Sequence, residues 1–220
     1  MSNRLIIMRH GQTDWNVENR FQGHTDIPLN ATGRGQVAHA ASILGTQDID
    51  HIISSDLQRA IDTASAVAAV KNLRVVPDSR LRETHCGSWE GRTGPEIEAT
   101  DGENLARWFD GDDLPAGGDG ERRSDVVKRM MSGIENGLND CQPGQTLLVV
   151  THGGAARGAI GALLGLAIND WVAIGGLANA SWSIVEKRNA RWRLIEHNSG
   201  VLPEPILGQE SSQSILPSQN

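Results

Sequence analysis

Only two cysteines, Cys86 and Cys141, occur in the 220 residues, and their spacing is not that of a metal-ligand pair. That excludes a disulfide framework and fits a reducing cytoplasm in which both thiols are inert. Dense runs of Lys or Arg are missing too, and the formal net charge is −7 at pH 7, which argues against a nucleic-acid partner. The longest small and apolar stretch, 155–168, carries Arg157 and falls short of a bilayer span, so no membrane partner is expected. Nor does the start read as a secretory signal, because the apolar Leu5-Ile6-Ile7-Met8 is short and opens straight into charge. There is no internal repeat. No Asp/His cluster has metal spacing, so neither a metal nor a cofactor is expected.

What is present reads as one large domain over 1–200, followed by a mobile tail over 201–220 where composition shifts to Pro, Gln and Ser. Apolar strand-type runs alternate with helical patterns, the mark of a layered α/β fold. After the first strand comes a loop, 11–30, too irregular for either period. Thr32 is expected to cap a helix running to Leu44, and 49–54 to form the next strand. Residues 56–70 read as a helix, 122–138 as another, and Pro95 sits at a favoured first helical position. Gly111 to Gly120 reads as a loop. The glycines Gly158, Gly161 and Gly165 suit a helix packed closely on a sheet. Residues 181–187 and 191–196 read as two strands joined at Arg188-Asn189-Ala190.

Four segments carry the chemistry. Arg9-His10-Gly11 follows Leu5-Ile6-Ile7-Met8, placing an imidazole and a guanidinium at the carboxyl end of a strand, where open α/β folds bind ligands. Gly11 is expected to leave room for an anion against the main chain. Ser54-Ser55-Asp56-Leu57-Gln58-Arg59 reads as strand end, Ser/Asp cap and helix start, with Arg59 where helix polarity favours a phosphate. Leu81-Arg82-Glu83-Thr84 offers a carboxyl group, and Val149-Val150-Thr151-His152-Gly153 ends a second apolar strand in His-Gly. Two histidines and two arginines at strand ends and helix starts can converge on one tetrahedral anion.

Arg9-His10-Gly11-Gln12-Thr13, with Asn16 and Phe21-Gln22-Gly23 downstream, resembles the signature of the histidine phosphatase (phosphoglycerate mutase-like) superfamily. The likeness extends from Arg4 to about Asn198, with the other three segments in the family's order. It implies a three-layer α/β/α sandwich with a mixed, mostly parallel sheet. Within the superfamily, the run 80–91, Asn179-Ala180-Ser181-Trp182 and Arg191-Trp192-Arg193-Leu194 are most similar to actinobacterial glucosyl-3-phosphoglycerate phosphatases. Gly120-Glu121 resembles a Gly-Glu-Ser element of these enzymes, with Arg122 in the serine's place.

The resemblance implies a metal-independent phosphomonoesterase acting on a small phosphate ester through a phosphohistidine. His10 is the expected nucleophile, neutral at its attacking nitrogen. Arg9 and Arg59 are expected to clamp the phosphoryl oxygens, His152 to donate to one of them, and Glu83 to protonate the leaving alkoxide and then activate water. Glu90, Glu96 and Asp56 are the rival carboxylates. Asn16, Gln22 and Gly23 match a stretch bordering the substrate. Glucosyl-3-phosphoglycerate is the best single substrate from resemblance, and a homodimer is the candidate assembly. The alternatives are a phosphoglycerate mutase, a broad-specificity phosphatase, and a non-catalytic phospho-ligand binding module. The basic, proline-containing run of family mutases is missing between Glu83 and His152, which favours the phosphatase. A module that only bound would have no need of an acid beside a nucleophile.

Overall fold

In β1 (Arg4–Arg9), side chains alternate across the sheet, so Leu5 and Ile7 enter one core while Ile6 and Met8 enter another. A strand buried on both faces needs helices on both sides. The computed structural model describes residues 3–200, and the expected tail at 201–220 lies outside the described residues. One core packs α2 (Ala31–Leu44) and α3 (Gln58–Lys71) through Val37, Leu44, Ala64 and Val67. The other packs α5 (Arg123–Asn139) and α6 (Gly153–Leu163) through Met130, Ile134, Ala159 and Ile160. A third cluster joins Phe21, Trp89, Ile97 and Trp108, with α4 (Gly94–Phe109) as its helix. Each fully buried Leu, Ile or Met contributes roughly 1.5–3 kcal/mol, so these layers set the strand positions.

The six strands are ordered β3-β2-β4-β1-β5-β6, where β2 is His51–Ser54, β3 Val75–Pro77, β4 Thr146–Thr151, β5 Trp182–Arg188 and β6 Arg191–Ser199. Pairing is parallel from β3 through β1 and antiparallel for β1–β5 and β5–β6. This is the mixed, mostly parallel α/β/α sandwich implied above.

Several local expectations are corrected. Helix α2 is capped by Asn30, whose side chain accepts from the Gly33 N–H at 2.8 Å, and Thr32 lies inside the helix. Helix α3 starts at Gln58 with no cap from Ser55 or Asp56. Instead, Asp26 Oδ1 accepts from the Gln58 N–H at 2.8 Å, from a loop 32 residues upstream. The strand expected over 49–54 begins only at His51 and the helix expected from 122 begins at Arg123. The 11–30 loop contains one helical turn, α1 (Asp14–Val17), closed by a Thr13–Asn16 capping box. Gly158 and Gly161 do not serve the sheet. A Cβ at Gly161 would sit 2.3 Å from Trp171 Cδ1, and one at Gly158 would sit 2.6 Å from Val127 Cγ2.

Candidate active site

Parallel register assembles the centre. Arg9 on β1 pairs with Thr151 on the adjacent β4, so the residues that follow, His10 and His152, leave the sheet side by side. The His10 N–H donates to Thr151 O at 3.0 Å, and the two imidazoles meet edge to face with centroids 5.1 Å apart. Ser54 on β2 pairs with Val150, which brings Ser55 and the first turn of α3, with Arg59, beneath His152.

His10 is 3% exposed, and its Nδ1 lies 2.7 Å from Gly11 O. A carbonyl only accepts, so Nδ1 carries the proton and Nε2 keeps its lone pair. Burial, then Arg59 and Arg9, hold the imidazole well below its ordinary value of 6.5. His152 is the mirror case. Arg59 Nε donates to its Nδ1 at 3.2 Å, leaving the proton on Nε2, which donates to Ser55 Oγ at 2.8 Å. Burial and the Arg59 charge likewise lower its proton affinity well below 6.5. Donation by His152 to a phosphoryl oxygen therefore requires a second proton or a change of tautomer, and the Ser55 hydroxyl, donor and acceptor alike, tolerates both.

Arg59 is fully buried, and burial lowers its guanidinium to about 10 against the opposing pull of Glu83 and Asp26, so it stays charged at pH 7. Three of its five N–H groups go to His152, Thr25 O at 2.8 Å and Gly23 O at 2.9 Å, leaving two for an anion. Among the described residues Arg59 forms no salt bridge with Asp56 or Asp62, because Asp56 pairs with Arg82 and Asp62 accepts from Gln58. Arg9 Nη1 donates to Leu177 O at 2.7 Å.

The Glu83 carboxylate closes the N-terminus of α6. Its Oε1 accepts from the Thr84 N–H at 2.8 Å and the Ala155 N–H at 3.0 Å, while Oε2 accepts from the Gly154 N–H at 2.9 Å. One lone-pair site on Oε2 remains for a proton. The rival carboxylates are spent elsewhere: Asp56 on Arg82, Glu96 on the α4 capping box, and Glu90 on the N–H groups of His24, Thr25 and Cys86.

Asn16 is buried beside these groups, its Oδ1 taking Thr13 and Asn179 while its Nδ2 finds no acceptor among the described residues. A buried orphan donor is costly, and a phosphoryl oxygen would satisfy it. Gln22 is buried with Oε1 unsatisfied among the described residues, and Gly23 enters through its carbonyl on Arg59. Gly11 corrects an expectation. Its N–H donates to Thr63 Oγ1 at 3.1 Å, and a Cβ there would sit 2.6 Å from Val37, so glycine serves the approach of α2 and not an anion.

Sequence reasoning missed Ser55 as the partner of His152, Thr63 on Gly11, and Asn179, whose Nδ2 donates to His10 O at 3.1 Å. Ser55 and Asn179 stood inside matched segments, but nothing local marked their contacts.

Lowered proton affinities have a testable sign. Both histidines bind protons more weakly folded than unfolded, so folding stability should fall as pH drops below about 6.5 toward the folded values. In an NMR titration of the resting protein, the His10 and His152 rings are expected to stay neutral through pH 6.5. A midpoint at or above that value would contradict the electrostatics described.

The family profile of the histidine phosphatase superfamily (branch 1) matches residues 5–200. Among similar proteins is a glucosyl-3-phosphoglycerate phosphatase from Mycobacterium tuberculosis (strain CDC 1551 / Oshkosh), 40% identical over 208 residues, covering 87% of this chain and 92% of that protein. Arabidopsis thaliana phosphoglycerate mutase-like protein 4 is 36% identical over 70% of this chain and 67% of its own length. A solved mycobacterial glucosyl-3-phosphoglycerate phosphatase in complex with VO3 superposes with a TM-score of 0.83 at 40% identity, covering 89% of this chain and 98% of that one.

Proposed function

The chain belongs to the histidine phosphatase superfamily and is a phosphoric monoester hydrolase, and from that premise we propose a two-step mechanism on a sugar-bearing phosphoglycerate. The 2.7 Å approach of His10 Nδ1 to Gly11 O, which assigns the proton to Nδ1 and leaves the Nε2 lone pair for attack, carries the reading. His10 Nε2 attacks phosphorus, the P–O ester bond breaks, and the Glu83 carboxylic acid gives its proton to the departing alkoxide. Glu83, now a carboxylate, takes a proton from water as its oxygen attacks the phosphohistidine. The N–P bond breaks, inorganic phosphate leaves, and His10 is restored neutral. Arg9, Arg59 and Asn16 hold the equatorial oxygens, joined by His152 once it gains a second proton or changes tautomer, and holding them is the main task in phosphoryl transfer. Gln22 and Gly23 border them, Gly23 by orienting Arg59.

The leaving group's place supports the substrate. Thr84 and Gly154, whose N–H groups hold Glu83, also line a narrow cleft together with Trp108, Arg123, Arg157 and Trp171. We assign this cleft, which adjoins Glu83 through Thr84 and Gly154, to the alcohol that Glu83 protonates. Guanidinium groups there suit a carboxylate, which fits the glycerate part of glucosyl-3-phosphoglycerate. Arg123 already lies over the Trp108 ring, 4.3 Å from its centroid.

The test is phosphate release from a panel of esters. Glucosyl-3-phosphoglycerate is expected to exceed glycerol 3-phosphate, and Arg157→Gln to lower kcat/KM for the former while sparing the latter. Equal rates for both esters would remove this substrate assignment. Formation of 2-phosphoglycerate from 3-phosphoglycerate would instead favour the mutase reading. The free thiols of Cys86 and Cys141 support a reducing cytoplasm as its location, the Cys86 thiol being pushed up by burial. We carry the homodimer as part of the proposal, to be checked by light scattering.

A further inference from the structure

Glu83 stands on a segment, 82–86, that belongs to no helix or strand, yet its carboxylate must be placed to within a fraction of an ångström. Its neighbouring carbonyls have no ladder partners, so side chains from elsewhere have to take them. Arg129 on α5 takes most of them. Its Nη1 donates to Arg80 O and Arg82 O, both at 2.7 Å, and its Nη2 donates to Glu83 O at 2.7 Å. The intervening Leu81 O accepts from Thr151 Oγ1 at 2.7 Å, so four consecutive carbonyls are held. The remaining edge of the guanidinium grips Glu121, with Nε on Oε1 at 2.8 Å and Nη2 on Oε2 at 2.7 Å. Glu121 closes the loop from the other side: its Oε2 accepts from the His85 N–H at 2.9 Å and its own N–H donates to His85 O at 2.8 Å. His24 Nε2 lies 2.8 Å from Glu83 O and supplies a second donor there.

We propose that Arg129, oriented by Glu121, is the positioning residue for the Glu83 proton-transfer step. This rests on the reading of Glu83 as the acid. Arg129 touches the backbone of Glu83 and not its carboxylate, so it acts through that residue. Lysine cannot replace it. The arginine fork reaches three carbonyls and a carboxylate in one plane, whereas an ammonium has three donors on a single nitrogen. The clamp also explains the Gly120-Glu121 element: the glutamate braces the loop, and Arg122 in the serine's place does not disturb it. A Cβ at Gly120 would lie 2.2 Å from His85 O, which accounts for glycine beside the glutamate.

The readout is leaving-group dependence in single-turnover phosphorylation. Arg129→Lys is expected to slow transfer from an alkyl ester such as glycerol 3-phosphate by about 10²-fold, the scale of a 1 Å misplacement. Transfer from p-nitrophenyl phosphate, which needs little acid help, should stay within about twofold, the scatter of independent effects. In the Glu83→Gln background, Arg129→Lys should add almost nothing for the alkyl ester, because the group it positions is already lost. Equal slowing of both esters, or full additivity with Glu83→Gln, would overturn the proposal and leave Arg129 a structural residue. If Arg129→Lys does not fold, as judged by circular dichroism, Glu121→Gln carries the test. It leaves the carbonyl bonds, removes the orienting charge and puts an amide nitrogen that cannot accept in place of one oxygen that Arg129 holds, so the same selective loss is expected at smaller size and an unselective one refutes the idea. Should Glu83→Gln itself spare the alkyl ester, the acid assignment fails first, and the two failures are told apart.

Discussion

His10→Ala is expected to abolish covalent phosphorylation and lower turnover by several orders of magnitude while the fold persists. The nucleophile is the one group whose role no neighbour can assume: His152 has both nitrogens engaged, by Arg59 and Ser55. Stability should change little. The substitution removes the Nδ1 bond to Gly11 O, a loss on the order of 1 kcal/mol, which for a chain of this size moves Tm by about 2–4 °C. Rapid quenching of the wild type with substrate should trap an acid-labile, base-stable phosphate that maps to His10. Near-normal turnover in the variant, or phosphate trapped on another residue, would refute the mechanism.

Glu83→Gln should separate the two half-reactions. A sugar or glycerate alkoxide is a strong base and needs a proton as it leaves, whereas p-nitrophenolate hardly does. Phosphorylation should therefore drop by about 10²–10⁴-fold for the natural class of ester and only modestly for p-nitrophenyl phosphate. Water attack on the phosphohistidine loses its base with either substrate, so phosphoenzyme should accumulate with the artificial one. Glutamine carries a structural cost as well. Its amide nitrogen cannot accept, so the Gly154 N–H, or the pair from Thr84 and Ala155, loses its acceptor at roughly 1–3 kcal/mol. Single-turnover kinetics on verified folded protein excludes that cost as the cause. Equal slowing of phosphorylation with both esters would mean that Glu83 only positions the phosphate.

Much of this was legible in the chain before any coordinates. Leu5-Ile6-Ile7-Met8 and Leu147-Leu148-Val149-Val150 announce buried strands, and the His-Gly that follows each places an imidazole at a strand's carboxyl end. These signals are local: a strand's two-residue period and a motif a few residues long survive in one dimension. Glu83 is set apart from its rivals by the family resemblance alone, through its place after Leu81-Arg82.

Tertiary structure decided what depends on remote partners. The sequence alone could not state that β1 and β4 are neighbours in register, and that pairing brings His10 within 5.1 Å of His152. Asp26 caps α3 from another loop, where Ser55 and Asp56 looked like the local candidates. Gly11 proved to be a packing residue for α2. Arg129 lies 46 residues from Glu83 and looks in sequence like any charge on an amphipathic helix. The physical reason is common to all four. A hydrogen-bond donor satisfies whatever acceptor packing brings within about 3 Å, and that proximity is a property of how the layers dock, written in no local pattern.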